Sequence, residues 1–178
     1  MKLMLPSWLA ALNRVTMLIS ALGMALIMFL ITLEALLRYL FDQSLGWTYD
    51  LITLYIVVIV FFFAAPDTFA RGGNVNVETL QEHMSWRWQA ITELISSIMF
   101  IAVLGLILNR MWLRFDRAYG SSEVISGMIP WPTWPTWALA HVGFSLLLVN
   151  ILVRLWFVVR ALVRGEPIQP LNQKHATE

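Results

Sequence analysis

The chain has 178 residues, 59% hydrophobic and 13% charged, with a formal net charge of +1 and a mean hydropathy of +0.71. Soluble domains carry about 25% charged residues, so there is too little polar surface here to cover a water-soluble globule, and the bilayer is the expected solvent. No basic stripe exists to neutralise nucleic-acid phosphates, and the absence of cysteine excludes disulfides and thiolate metal sites.

The first apolar run, Val15–Leu33, is 19 residues without a charge. Lys2 ahead of it has the look of a signal peptide. The run is longer than a signal core, however, and no small-x-small cleavage pattern follows, so it is read as a retained membrane helix over about 15–37. At its end, Glu34 and Arg38 are spaced i, i+4 with the acid first, the favourable order for a helical ion pair or for a polar contact with another subunit. The stretch RYLFDQSLGWTYDL, Arg38 to Leu51, then forms a hairpin turn. Thr48 is placed to cap the second helix, with Asp50 in its first turn against the positive dipole end. Leu45–Ala65 carries only Asp50 as a charge and predicts a second span over about 45–66.

Gly72 and Gly73 end that helix. Val77, Leu80, Met84, Trp88 and Ile91 then recur at spacings of 3, 4, 4 and 3, while Glu78, Glu82, Ser85 and Gln89 fall mostly on the other face. This predicts an amphipathic helix over about 76–88 lying in the membrane interface. It runs into a third span over about 90–109, where Glu93 is expected in the first turn. Arg110, Arg114 and Arg117 fall in the third loop, which ends PWPTWPTW. Proline is tolerated in a first helical turn and kinks a helix further in, so Pro130, Pro132 and Pro135 delay the fourth span to about 135–159. Trp131, Trp134 and Trp137 read as an aromatic belt at headgroup level. His141 and Asn150 are about 900° of helix apart and face opposite sides, so each is expected to hydrogen-bond a neighbouring helix rather than share a site. The expected fold is all-α integral membrane: a four-helix membrane domain over 1–163 and a polar, proline-bearing tail over 164–178 that is expected to be disordered.

With four spans, both termini share a side with the middle loop. That side holds Lys2, Arg14, Arg71, Arg87, Arg154, Arg160, Arg164 and Lys174, against Arg38, Arg110, Arg114 and Arg117 on the other. Eight against four predicts both termini in the cytoplasm. For chemistry the chain offers little. Its histidines are His83, His141 and His175, with one in a span, and it has no HExxH, GxSxG or P-loop pattern. An enzyme is not expected, nor a metal, catalytic or substrate-binding residue.

An order of features runs through the chain. Arg38, Tyr39 and Phe41 end the first helix, and Trp47 and Asp50 open the second. Arg71, Gly72, Gly73, Asn74, Val75 and Val77 follow it, and Pro130–Trp131 enters the last. Over about residues 10–160 this resembles the small, DctQ-like membrane subunit of tripartite ATP-independent periplasmic (TRAP) transporters. Asp50 stands where the family often has Glu, and Asn74 where it often has His; both changes keep polarity. The resemblance implies a three-part importer of the bacterial inner membrane. A soluble periplasmic binding protein captures an organic acid, foremost a carboxylate, and a large membrane subunit moves it by an elevator-like step driven by a sodium gradient. The small subunit would be a scaffold without cofactor or substrate site of its own. Glu34, Arg38, Trp47, Asp50 and Arg71 are then the candidate subunit-contact or hairpin-shaping residues. The alternative is a self-sufficient four-helix exporter, with Glu34 or Glu93 coupling protons. A cytochrome or enzyme anchor is disfavoured by the single intramembrane histidine.

Overall fold

The computed structural model describes residues 6–43, 45–72, 86–127 and 129–165. Four helical segments are long and apolar enough to cross a membrane. Helix α1 is Ser7–Phe41. The second segment is α2 (Gly46–Leu51), a π-helical turn (Ile52–Ile56) and α3 (Val57–Ala70) in unbroken succession. Helix α4 is Trp86–Gly120 and α5 is Trp134–Arg164. Between them a two-stranded antiparallel ribbon pairs β1 (Val124–Ile125) with β2 (Trp131–Pro132). The expected interfacial helix falls largely on residues 73–85, and the tail on 166–178, both outside the described residues.

The helices outrun the apolar spans. At 1.5 Å per residue, the 35-residue α1 and α4 are each about 52 Å long, against a hydrocarbon core of about 30 Å. This corrects one expectation: Arg110, Arg114 and Arg117 are not in a loop but on the last turns of α4. The apolar run ends at Asn109, but no Gly or Pro interrupts the chain until Gly120, so the helix continues beyond the span. Helix α1 ends with Asp42 in the left-handed conformation (φ 54°), and Gly72 at φ 71° closes α3. Helix α5 starts at Trp134 with Pro135 in its first turn, where a missing N–H costs nothing.

The packing forms an open row rather than a closed bundle. Helix α1 packs on α3, α3 on α5, and α5 on α4, leaving α1 and α4 as edges with at most marginal contact between them. The central helices α3 and α5 run parallel, since Thr136 meets Leu54 and, two turns on, Gly143 meets Phe62. Leu104, Leu147 and Ile151 form the buried core at the α4–α5 seam, with Ala65 and Phe69 of α3 against it.

Two irregularities sit where α3 is gripped by its neighbours. Pro66, buried inside α3, has no N–H to offer the Phe62 carbonyl. Gly143 of α5 packs onto that carbonyl so closely that a Cβ there would lie 2.5 Å from Phe62 O. In the π turn, the Leu54 carbonyl accepts a bond from the Thr136 hydroxyl at 2.9 Å. Ser20 of α1 donates to the Val60 carbonyl at 2.7 Å. The crossings therefore rest on backbone carbonyls, the groups that lipid leaves without partners.

Candidate functional site

Several polar side chains inside the row serve helix-to-helix contacts. The side-chain amides of Asn13 on α1 and Asn150 on α5 bond reciprocally at 2.8 and 3.0 Å, both 1% exposed. Asn150 also donates to the Leu146 carbonyl one turn back. The pair reaches past α3, joining helices whose backbones otherwise barely meet. A coupling energy of about 0.5–1.5 kcal/mol is expected between Asn13→Ala and Asn150→Ala in a double-mutant thermal-stability cycle. Strict additivity would mean that the amides do not pair.

One turn further along α5, Arg154 makes a forked ion pair with Glu93 of α4, its Nε to Oε1 and Nη2 to Oε2 at 3.1 Å. The Arg154 side chain is 7% exposed and that of Glu93 28%. The expected first-turn position for Glu93 is corrected, because α4 begins at Trp86 and Glu93 lies in its third turn. In the sequence Arg154 stands only as one of the positive charges on the side of the termini. The pairing joins positions 61 apart, and the i, i+4 pattern that flags local pairs has no hold on it.

At the other end of the row, the ribbon folds over the start of the second segment. Tyr55 donates its hydroxyl to the Pro132 carbonyl and sets its ring edge-on to Trp131, with centroids 5.8 Å apart. The half-buried Asp50 carboxylate lies against Gly127, where a Cβ would come within 2.8 Å of Oδ2. A side chain at 127 would require the Asp50 carboxylate to swing aside. Trp112, Phe115, Tyr119, Trp134 and His141 form a chain of ring contacts along the α4–α5 seam, with Phe115 and Trp134 centroids 6.4 Å apart.

The predicted residues are not brought together. Glu34 is half-buried and Arg38 exposed, and no ion pair within 4.0 Å joins them; the ion pairs found among the described residues are Arg154–Glu93 and Arg71–Asp67. Trp47 is half-buried at the start of α2. Thr48 does not cap: the helix begins earlier, after Leu45, whose carbonyl accepts the Thr48 N–H at 3.0 Å. Asp50 is accordingly beyond the first turn. The Thr48 hydroxyl is buried without a hydrogen-bond partner, as is the Trp131 indole nitrogen. Arg71 lies about 30 Å along the segment from Asp50, paired at 2.6 Å with the buried Asp67 one turn back. Among the described residues, no group of three His, Asp or Glu side chains converges as a metal site would require.

The described residues thus form a row of four apolar helices, joined by interhelical polar pairs and covered at one end by a loop on the second segment. The family model of the DctQ component of tripartite ATP-independent periplasmic transporters matches residues 27–161, well over half of the chain. The chain belongs to the DctQ family. It is similar to a Haemophilus influenzae protein named as a TRAP transporter small permease protein, 27% identical over 143 residues that cover 80% of this chain and 86% of the relative. No solved structure matches. As a DctQ-family TRAP small permease subunit, the protein is a multi-pass membrane component of a transport system, and its family is one of transporter subunits rather than enzymes.

Proposed function

We propose that this small permease subunit is a static scaffold. It would widen and anchor the membrane face of a large elevator subunit, which imports an organic acid, foremost a carboxylate, with a sodium gradient. A soluble periplasmic protein would deliver the substrate, in the inner membrane of a bacterium with both termini of this chain cytoplasmic. The observation that carries this reading is the open row. A substrate path needs polar groups converging on a cavity near the midplane, commonly at broken helices. Here the buried amides and the Arg154 guanidinium are consumed by neighbouring helices, and the row leaves two edge helices with apolar outer faces. The exporter alternative needs a free carboxylate deep in the membrane; Glu93 is held by Arg154, and Glu34, which is unpaired among the described residues, stands near the end of the first apolar span.

The test is co-purification from native membranes in mild detergent, using a C-terminal tag. A stoichiometric large polytopic partner, with sodium-driven uptake in the reconstituted complex, is the expected result. A stable, partner-free monomer or homodimer would overturn it. In the same assay, Glu34→Ala combined with Arg38→Ala is expected to lower complex yield or uptake severalfold, because the two are not spent on each other. Normal yield and normal uptake would remove both from the contact surface.

A further inference from the structure

One stripe of α4 has two chemically distinct halves. Met99, Val103, Leu106, Arg110, Arg114 and Arg117 follow one another at spacings of 4, 3, 4, 4 and 3, which places them on a single helical face. All six are exposed, Met99 at 65%, Val103 at 52% and Leu106 at 69%. From Met99 to Arg110 is about 16 Å of helix, close to the half-thickness of the hydrocarbon core. From Arg110 to Arg117 is about another 10 Å, the depth of the headgroup layer and a little more.

Among the described residues, no carboxylate pairs with the three arginines. The ion pairs among the described residues use Arg71 and Arg154, and Asp116 projects from a different face of α4. Like charges at i, i+4 and i, i+3 on a helix repel by a few tenths of a kcal/mol per pair. An unmatched cationic row is therefore a liability unless an external anion covers it. At the same depth but on the opposite side of α4, Trp112 and Tyr119, more than half exposed, suit the membrane–water boundary.

We propose that this stripe is a binding site for an anionic phospholipid, with the headgroup phosphate held by Arg110 and Arg114, supported by Arg117, and an acyl chain lying along Leu106, Val103 and Met99. Guanidinium groups suit the occupant because they meet phosphate oxygens with two parallel N–H bonds. The apolar half argues for a lipid over a soluble acidic protein, since a protein docked on the arginines alone has no use for an exposed apolar stripe continuous with them. The assignment goes beyond the scaffold role and holds whichever leaflet the arginines occupy.

Native mass spectrometry of the full-length chain, titrated with dioleoyl-phosphatidylglycerol or dioleoyl-phosphatidylcholine, tests it. Arg110→Gln with Arg114→Gln and Arg117→Gln is expected to weaken phosphatidylglycerol retention about tenfold or more and to leave phosphatidylcholine unchanged. The corresponding lysine triple is expected to fall between the native chain and the glutamine triple, because it keeps the charge but loses the two-pronged bonds to phosphate. Arg160→Gln with Arg164→Gln, exposed at the far end of α5, is the control for general loss of charge. Equal losses in the control and the glutamine triple, or a glutamine triple that binds as the native chain does, would overturn the site. So would a glutamine triple that keeps phosphatidylglycerol but releases a soluble acidic partner, which would reassign the stripe to protein docking. Complex yield with the large subunit is read separately, so a failure here is distinct from a failure of the scaffold reading.

Discussion

Gly143→Ala is expected to lower the thermal stability of the purified chain by about 5–10 °C, the effect of losing about 2–3 kcal/mol in a chain of this size. The Cβ it adds would sit 2.5 Å from the Phe62 carbonyl oxygen, 2.7 Å from Phe62 Cβ and 2.8 Å from its carbonyl carbon. Ordinary van der Waals contact begins at 3.4 Å, so the shortfall is 0.9 Å. Two of the three atoms are backbone, which no rotamer change can move aside. Relief requires α5 and α3 to separate, and that also pulls on the Thr136 bond to Leu54 and on the edge-to-face contact of Phe62 with Phe144, whose centroids are 4.6 Å apart. Two other glycines calibrate the result. At Gly23 the added Cβ would meet a side-chain methyl, Val60 Cγ2, at 3.0 Å, which can yield a few tenths of an ångström, so a smaller loss is expected. At Gly105 it would meet nothing within 4 Å, and Gly105→Ala should be neutral, or up to about 1 kcal/mol stabilising through helix propensity. The order of stability expected is 105 above 23 above 143. If Gly143→Ala melted with Gly105→Ala, the close α3–α5 crossing would be wrong.

The four spans were legible because a bilayer imposes one rule on the sequence, about 20 apolar residues per crossing, and runs such as Val15–Leu33 obey it without reference to any neighbour. The start of α5 was legible for the same local reason, since three prolines permit few places for a helix to begin. What joins the spans was not. Asn13 lies outside the uncharged run; only the crossing of α1 and α5 turns it into the partner of a residue 137 positions away. Asn150 was read as bonding a neighbouring helix, which is what it does, but nothing in its own helix names that helix. Gly143, like Gly23 and Gly105, is legible in the sequence as a small residue that allows close helix packing, but its partner is not: only the crossing sets it against the carbonyl that Pro66 frees. The Thr48 cap failed for a different reason. Capping propensity assumes the helix begins where the cap stands, and the turn after Asp42 lets it begin at Gly46 instead. The Glu34–Arg38 spacing met the rule for a local ion pair, yet a spacing permits a contact without enforcing one, and an exposed arginine at a helix end retains its solvent.

Glu93→Ala and Arg154→Ala should differ, and the difference reports which charge is the more deeply desolvated. Removing Glu93 takes the forked carboxylate from a guanidinium that is 7% exposed; breaking a buried pair costs up to about 3–5 kcal/mol, and the further interaction that Arg154 keeps lowers that figure. Removing Arg154 leaves a carboxylate that is 28% exposed, within reach of water or headgroups, and should cost about 1–2 kcal/mol less. Arg154 lies ten residues from the C-terminal end of α5, so its long side chain can retreat towards the interface and recover part of the loss. The quoted cost for Glu93→Ala is therefore an upper figure. Glu93→Leu combined with Arg154→Met replaces the pair with apolar groups of similar reach, and stability is expected to return to within about 1 kcal/mol of the native chain, since the charges roughly offset their own desolvation. The seam gives this experiment its functional weight. Helix α4 is an edge of the row, packed mainly on α5 among the described spans, and the forked pair sits at one end of that seam with the Leu104–Leu147–Ile151 core further along it. Loosening it should free α4 while α1, α3 and α5 stay joined through Ser20, Gly143 and the paired amides. Cysteine pairs are the natural readout in a chain that has no cysteine of its own. In Glu93→Ala, cross-linking across the α4–α5 seam should fall severalfold while cross-linking across the α1–α3 seam holds. A uniform fall across both seams would mean that the row melts as one cooperative unit and that its edge is not independently hinged.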